Sequence, residues 1–187
     1  IAVVSLHWGI EYTHYPSPDQ IELARELVDN GTGLVLGHHP HVLQGIEARG
    51  TGLIAYSLGN FQFQPRRQQS RQSLILHARI GPQGVQHHRM IPVWIDERNH
   101  PRLARGSKRK ETLCFTERIS APIQEGRIVE KWWFEQTART YLAVNMRAWI
   151  TRLRRYGVRH LVPFMRWLAA GFTIKCYLGF WRARRSV

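Results

Sequence analysis

Three imidazoles fall within four residues in the run Gly37-His38-His39-Pro40-His41. Neutral imidazole is the commonest protein ligand for a metal ion, and Pro40 between two of the rings stiffens the turn, so less entropy is lost on ligation. A further histidine, His7, closes the apolar run Ile1-Ala2-Val3-Val4-Ser5-Leu6 and is followed by Trp8, Gly9, Ile10 and Glu11. Two histidine-bearing segments of this kind suit one shared metal site. Within it His38 could ligate, support a ligand or touch substrate, and Glu11 could ligate, act as general base or orient a histidine. The competing reading is a polar turn whose histidines only hydrogen-bond, which is the commoner role for a lone histidine at a strand end.

The elements that must position these groups are short. Gly33-Leu34-Val35-Leu36 predicts a buried strand that runs into the triple-histidine turn, and residues 1–6 predict another that delivers His7. Between them, Ser17 is placed to cap a helix, Pro18 suits its first position and Asp19 its positive end. Ile21, Leu23, Ala24, Leu27 and Val28 supply its apolar stripe, and Asn30-Gly31 its stop. Strand, helix, strand predicts a βαβ unit with parallel, adjacent or nearly adjacent strands, and open α/β sheets bind ligands outside the carboxyl ends of such strands. A third strand over 52–57 leads into Leu58-Gly59-Asn60-Phe61. Segments 73–80 and 85–95 predict a hairpin about Gly81-Pro82-Gln83-Gly84, and Glu97 to Lys110 reads as exposed loop.

Charge divides the 187-residue chain unevenly. The net charge is +14 and the pI about 11.0, yet residues 127–187 hold 13 Lys or Arg against only Glu130 and Glu135, while residues 1–126 hold 14 against 11 acids. From about Ile128 the pattern turns helical. Leu142, Met146, Trp149 and Leu153 share one side, Gly157 and Pro163 interrupt any single long helix, and five of the seven tryptophans lie in this part. Its longest uncharged run, Trp167 to Ile174, is far below the ~20 residues a spanning helix needs. Cys114 and Cys176 lack ligand-type spacing and read as unpaired thiols. The chain opens inside a strand, with no leader pattern, which reads as the carboxyl-terminal portion of a longer polypeptide.

The motifs His7-Trp8-Gly9-Ile10-Glu11-Tyr12, Gly37-His38-His39-Pro40-His41-Val42 and Tyr56-Ser57-Leu58-Gly59-Asn60-Phe61, in that order, resemble the poly-γ-glutamate capsule biosynthesis (CapA-type) family, which looks like a branch of the calcineurin-like metallophosphoesterases. The resemblance covers roughly residues 1–105. It implies an α/β fold, a layered αββα metallophosphoesterase-like sandwich truncated at the amino end, followed by a basic α-helical carboxyl-terminal extension. The implied domains are 1–110 for the carboxyl-terminal part of that fold, 111–127 for a linker and 128–187 for the extension. His7, His39 and His41 match metal positions, Glu11 and His38 stand as supporting catalytic residues, and Asn60 stands as a substrate contact or a residue holding the loop. Two divalent ions, of Mn, Fe or Zn, ~3.5–4 Å apart would clamp substrate oxygens and activate a water. The family's Gly-Asp, Asn-x-Glu and Asn-Asn-His elements, which would add aspartate and asparagine ligands, are absent from this sequence.

The functional expectation is therefore capsule or exopolymer biosynthesis, with a metal-dependent phosphoesterase-like hydrolase in first place. Second comes a non-enzymatic accessory protein that binds or exports an anionic polymer, and third a nuclease-like phosphodiesterase. Partners follow from the chemistry: an anionic polymer or phosphoester at the metal site, and first an anionic membrane surface for residues 128–187, where tryptophan would sit at headgroup depth and arginine would meet anionic lipid, against a polyanion contact there or helices that simply pack on the domain or a partner subunit. Nucleic acid ranks last because no nucleic-acid-binding motif accompanies the charge. The expected location is the cell envelope, in contact with the membrane.

Overall fold

A computed structural model describes residues 1–185, with side chains as far as Arg184. The fold is mixed α/β and divides into two compact units, Ile1–Ile128 and Val129–Val187.

The first unit begins with β1 (Ala2–His7), α1 (Pro18–Asp29) and β2 (Thr32–His38). β1 and β2 are parallel neighbours, with His7 beside His38 in register, as the βαβ reading requires. The helix start is legible in full: Ser17 Oγ accepts from the Gln20 amide at 3.3 Å, and the Gln20 side chain accepts in return from the Ser17 amide at 3.0 Å. Ile21 and Ala24 are buried and Leu27 and Val28 half-buried, but Leu23 is exposed and lies outside the stripe assigned to it.

Two short strands complete the sheet. β3 (Ile46–Arg49) pairs antiparallel with β4 (Gly52–Ala55), β4 runs parallel to β2, and the order is β1-β2-β4-β3. β4 ends two residues earlier than expected, and β3 was not expected at all. A second, antiparallel sheet holds β5 (Gln72–Gly81), β6 (Gly84–Ile95) and β7 (Pro101–Leu103) in that order. The hairpin is as read. The loop expected from Glu97 to Lys110 instead contains β7 and the start of α2 (Gly106–Gln124), which also replaces most of the linker expected over 111–127.

Leu34, Leu53 and Ala55 from the first sheet, Leu74 from the second and Ile119 from α2 share one buried cluster with Leu43 and Ile46. α2 reaches this core with an unusual face. Thr112, Thr116 and Ser120 are buried at four-residue intervals, each hydroxyl donating to the carbonyl one turn earlier. Ser120 Oγ also accepts from the Ile46 amide at 2.9 Å, which fastens the helix to β3.

The second unit is helical: α3 (Glu130–Tyr156), a 3-10 turn over Gly157–His160, α4 (Leu161–Ala169) and α5 (Gly171–Arg185). Gly157, at φ 65°, ends α3 as expected. Pro163 breaks nothing, because it sits in the first turn of α4, where a missing amide costs no helical hydrogen bond. Leu142, Met146, Trp149 and Leu153 are all half-buried on one side of α3. The five tryptophans of this unit differ in exposure. Trp133 is buried, Trp132, Trp149 and Trp167 are half-buried, and Trp181 alone among them is exposed. Both cysteines are free, and burial pushes the Cys176 thiol up to about 12.

Candidate functional site

The site forms where β1 and β2 end side by side. Beyond the strands their pairing continues through the loops: the Trp8 amide donates to the His38 carbonyl at 3.0 Å, and the Tyr12 amide to the Pro40 carbonyl at 2.7 Å. The two histidine-bearing loops are thus laced into one surface. Gly37 allows this closure, since a β-carbon there would lie 1.9 Å from the Tyr56 carbonyl oxygen and 2.4 Å from the Trp8 indole nitrogen. That indole passes over Gly37 and donates to the Tyr56 carbonyl at 3.1 Å, tying the first loop to the end of β4.

The turns are tight enough to force backbone that L-residues rarely adopt. Tyr12, His39 and His41 have φ of 63°, 98° and 58°. Each such non-glycine residue costs on the order of 1–3 kcal/mol and persists only where its surroundings hold it there. The result is a group of three rings. His7 and His39 have centroids 4.6 Å apart, and His39 and His41 5.8 Å. His38, adjacent in sequence, is exposed and turns aside, with Nε2 3.0 Å from Ser5 Oγ.

Asn60 determines how His41 presents itself. The asparagine is 4% exposed, and its Nδ2 donates to the Ser70 carbonyl at 3.4 Å, which directs its Oδ1 toward His41. Oδ1 can only accept, so the 2.8 Å contact requires His41 Nδ1 to carry the hydrogen. In the neutral ring this leaves the Nε2 lone pair available, the arrangement by which a neighbouring acceptor fixes the tautomer of a metal-binding histidine. Both polar atoms of Asn60 are thereby used within the protein. At His39, burial lowers the pKa below the usual 6.5; the nearby His7 and His41 act in the same direction and Glu11 opposes them. His39 is therefore neutral at pH 7, the form that ligates.

A recess of about 130 Å³ opens beside His41, lined by Glu11, Tyr12, Asn60, Phe63, Gln64 and Arg66. Phe63 meets the His41 ring edge-on at 5.2 Å, and the Arg67 guanidinium lies 4.4 Å from the Tyr12 ring centre. The sequence reading missed these loop residues, although the Pro65-Arg66-Arg67 run soon after Asn60 was visible. It also missed His14, which is half-buried. His14 Nδ1 is bonded to the Leu43 carbonyl at 2.9 Å, its ring meets Phe115 edge-on at 4.9 Å, and desolvation lowers its pKa.

Against a metal ion, the donor set fits in chemistry and in the orientation of His41. Among the described residues, however, no three His, Cys, Asp or Glu side chains converge closely enough to hold one.

Residues 1–65, which contain all six residues singled out by the motifs, match the family model of the bacterial capsule synthesis protein PGA_cap. This segment is similar to that family, over about a third of the chain. The chain is similar to a capsule biosynthesis protein CapA of Bacillus anthracis, 39% identical over 97 residues, covering 52% of this chain and 24% of the relative. It is also similar to a PGA biosynthesis protein CapA of Bacillus subtilis, 35% identical over 113 residues, covering 60% and 30%. A probable polyglutamine synthesis accessory protein of Mycobacterium tuberculosis is 35% identical over 60 residues, covering 32% and 16%. The chain thus spans about a third or less of the length of these relatives. The family match ends soon after Asn60, so the matched segment comprises both histidine loops and the turn that orients His41.

Proposed function

We propose that this chain acts at the cell envelope in the synthesis of a capsule polymer of poly-γ-glutamate type, with a metallophosphoesterase-like centre at the ends of β1 and β2. The observation that carries the reading is the grouping of His7, His39 and His41 in strained loops laced to each other, with His41 held so that Nε2 stays available. His7, His39 and His41 would ligate a divalent ion of Mn, Fe or Zn only on drawing closer together than they stand here, and a second ion would need further ligands. A bound ion supplies Lewis-acid polarisation of a phosphoryl oxygen and a more acidic water. Glu11, lining the same recess as His41, is placed to take a proton or to hold water there. Arg66 at the recess gives the anionic substrate a counter-charge. The two sheets sharing one core, with α1 contacting β2 and β4, support the layered sandwich reading.

A second reading, a non-enzymatic accessory role in polymer binding, draws on the lack of three converging ligands among the described residues and on the accessory role in the name of the mycobacterial relative. One titration addresses both. Zn2+ or Mn2+ added to the chain should bind weakly, shift the His7, His39 and His41 ring resonances together, and lose its effect in a His39→Ala/His41→Ala variant, with negligible phosphodiester turnover throughout. Binding that leaves those rings unmoved removes the metal centre. Metal-dependent capture of poly-γ-glutamate, with phosphoesters untouched even in a longer, ligand-complete form, favours the accessory role.

A further inference from the structure

The helices of residues 129–185 pack well on their inner side. In α4, Phe164 and Trp167 lie 5.8 Å and 6.3 Å from the Trp149 ring, and the Trp167 indole donates to Tyr141 Oη at 3.0 Å. In α5, Thr173, Cys176 and Gly179 are buried at three-residue intervals, and Gly179 lies so close to Phe134 that a β-carbon would come within 2.9 Å of it. A surface helix with its inner face so satisfied ordinarily shows polar residues outward. These two do not. α4 exposes Leu161, Val162 and Met165, the last two at 61% and 56%. α5 exposes Ile174, Leu178 and Trp181, spaced four and three residues apart and so aligned in one stripe, with Trp181 at 59%. Exposed apolar surface concentrated in this way marks an interaction surface.

Charge decides among the occupants. No Asp or Glu follows Glu135, whereas 11 Lys or Arg do. Arg159 and Arg166 accompany the apolar residues of α4, and Arg182 and Arg184 those of α5. A second copy of this surface would be repelled by like charge, and an acidic polymer in water offers nothing for Leu161, Met165 or Leu178. One partner presents fixed negative charge over a hydrocarbon layer. We propose that the outward faces of α4 and α5 seat on an anionic lipid bilayer, lying in its interface with Leu161, Val162, Met165, Ile174, Leu178 and Trp181 turned into the acyl boundary. Among the described residues no helix is long and apolar enough to cross a membrane, so the contact is one of lying on the surface. The proposal is independent of the chemistry at the histidine loops.

The test is flotation of the 187-residue chain with vesicles of phosphatidylglycerol and phosphatidylcholine, with phosphatidylcholine alone, and without lipid, at low and physiological salt. Emission is followed throughout, because the exposed Trp181 should shift to the blue on seating. Met165→Asp and Leu178→Asp place a negative charge on faces already in water, so helicity by circular dichroism should be unchanged. Expected are flotation with the anionic vesicles, little with phosphatidylcholine, and partitioning reduced about tenfold or more in each variant. Failure to float at low salt overturns the proposal. So does equal flotation by the variants, which would mean that charge alone, or another surface, makes the contact. Self-association in the absence of lipid that both variants abolish would reassign the stripes to a second copy and overturn it equally.

Discussion

Between Ile1 and Ile128, most buried polar side chains are answered, Gln20 Nε2, Gln44 Oε1 and Ser70 Oγ being the exceptions; between Val129 and Arg184, apolar side chains are exposed and unanswered. In the first unit Glu47 is 6% exposed, paired with Arg25 at 2.9 Å and accepting from Tyr56 Oη at 2.8 Å, and burial beside that carboxylate raises the Tyr56 pKa far above its usual value. Gln44, Ser57 and Asn60 are similarly enclosed, with hydrogen bonds to loop backbone or, for Asn60, to a histidine. In the second unit Val158, Val162, Met165, Leu178 and Trp181 stand largely in water. Buried polar groups are costly unless each has its partner, so the first unit is specified by its own contacts. The outer face of the second calls for something the chain does not itself supply.

If that contrast is right, the largest effects come from disturbing the enclosed unit. Gly37→Ala drives a β-carbon into the Tyr56 carbonyl, which belongs to backbone and cannot swing away, and should destabilise residues 1–128 by roughly 3 kcal/mol or more. Urea unfolding followed by circular dichroism would read it, and a loss below about 1 kcal/mol would mean that the loops are not locked as described.

Next in size is the buried ion pair. Glu47→Ala leaves Arg25 and the Tyr56 hydroxyl without their partner and should cost about 2–4 kcal/mol, while Val162→Ser in the second unit should stay within about 0.5 kcal/mol of the parent. Comparable losses from the two would erase the distinction between the units.

The smallest effect is one of pH. His14 is half-buried and its pKa lowered below 6.5, mainly by desolvation, with the Leu43 carbonyl opposing and Arg118 adding to the shift. Above pH 6.5 the ring is neutral folded or unfolded. As pH falls below that value the unfolded chain takes up a proton that the folded chain resists, so stability present at neutral pH is lost on acidification. His39 carries the same sign. Unfolding free energies at pH 7.5 and 5.5 should therefore differ less in His14→Gln than in the parent, and an unchanged difference would place the sensitivity elsewhere.

What could be read in advance depended on whether a residue's neighbours lay close in sequence. The capped helix, the parallel βαβ pair and the 72–95 hairpin rest on local patterns, and they form where the patterns place them. β3 escaped because Glu47 looks like a surface residue until Arg25, 22 positions earlier, is folded against it. α2 escaped because its buried face is built from Thr112, Thr116 and Ser120, whose hydroxyls are satisfied one turn back, so no apolar stripe announces it. At the site, the histidines were legible by type and spacing. The orientation of His41 was not, since it depends on Ser70, ten positions further on, holding the Asn60 amide. Which tail tryptophans pack and which stay exposed was hidden for a related reason: a helix shows where its aromatics could pack only once its partner helices are in place.

The Trp8 indole, laid across Gly37 onto the Tyr56 carbonyl, gives the molecule a gauge of its own. Its ring N–H is hydrogen-bonded only while the ends of β1, β2 and β4 stay together. The rate at which that proton trades with deuterium therefore counts how often the histidine platform comes apart, without any ligand having to be known.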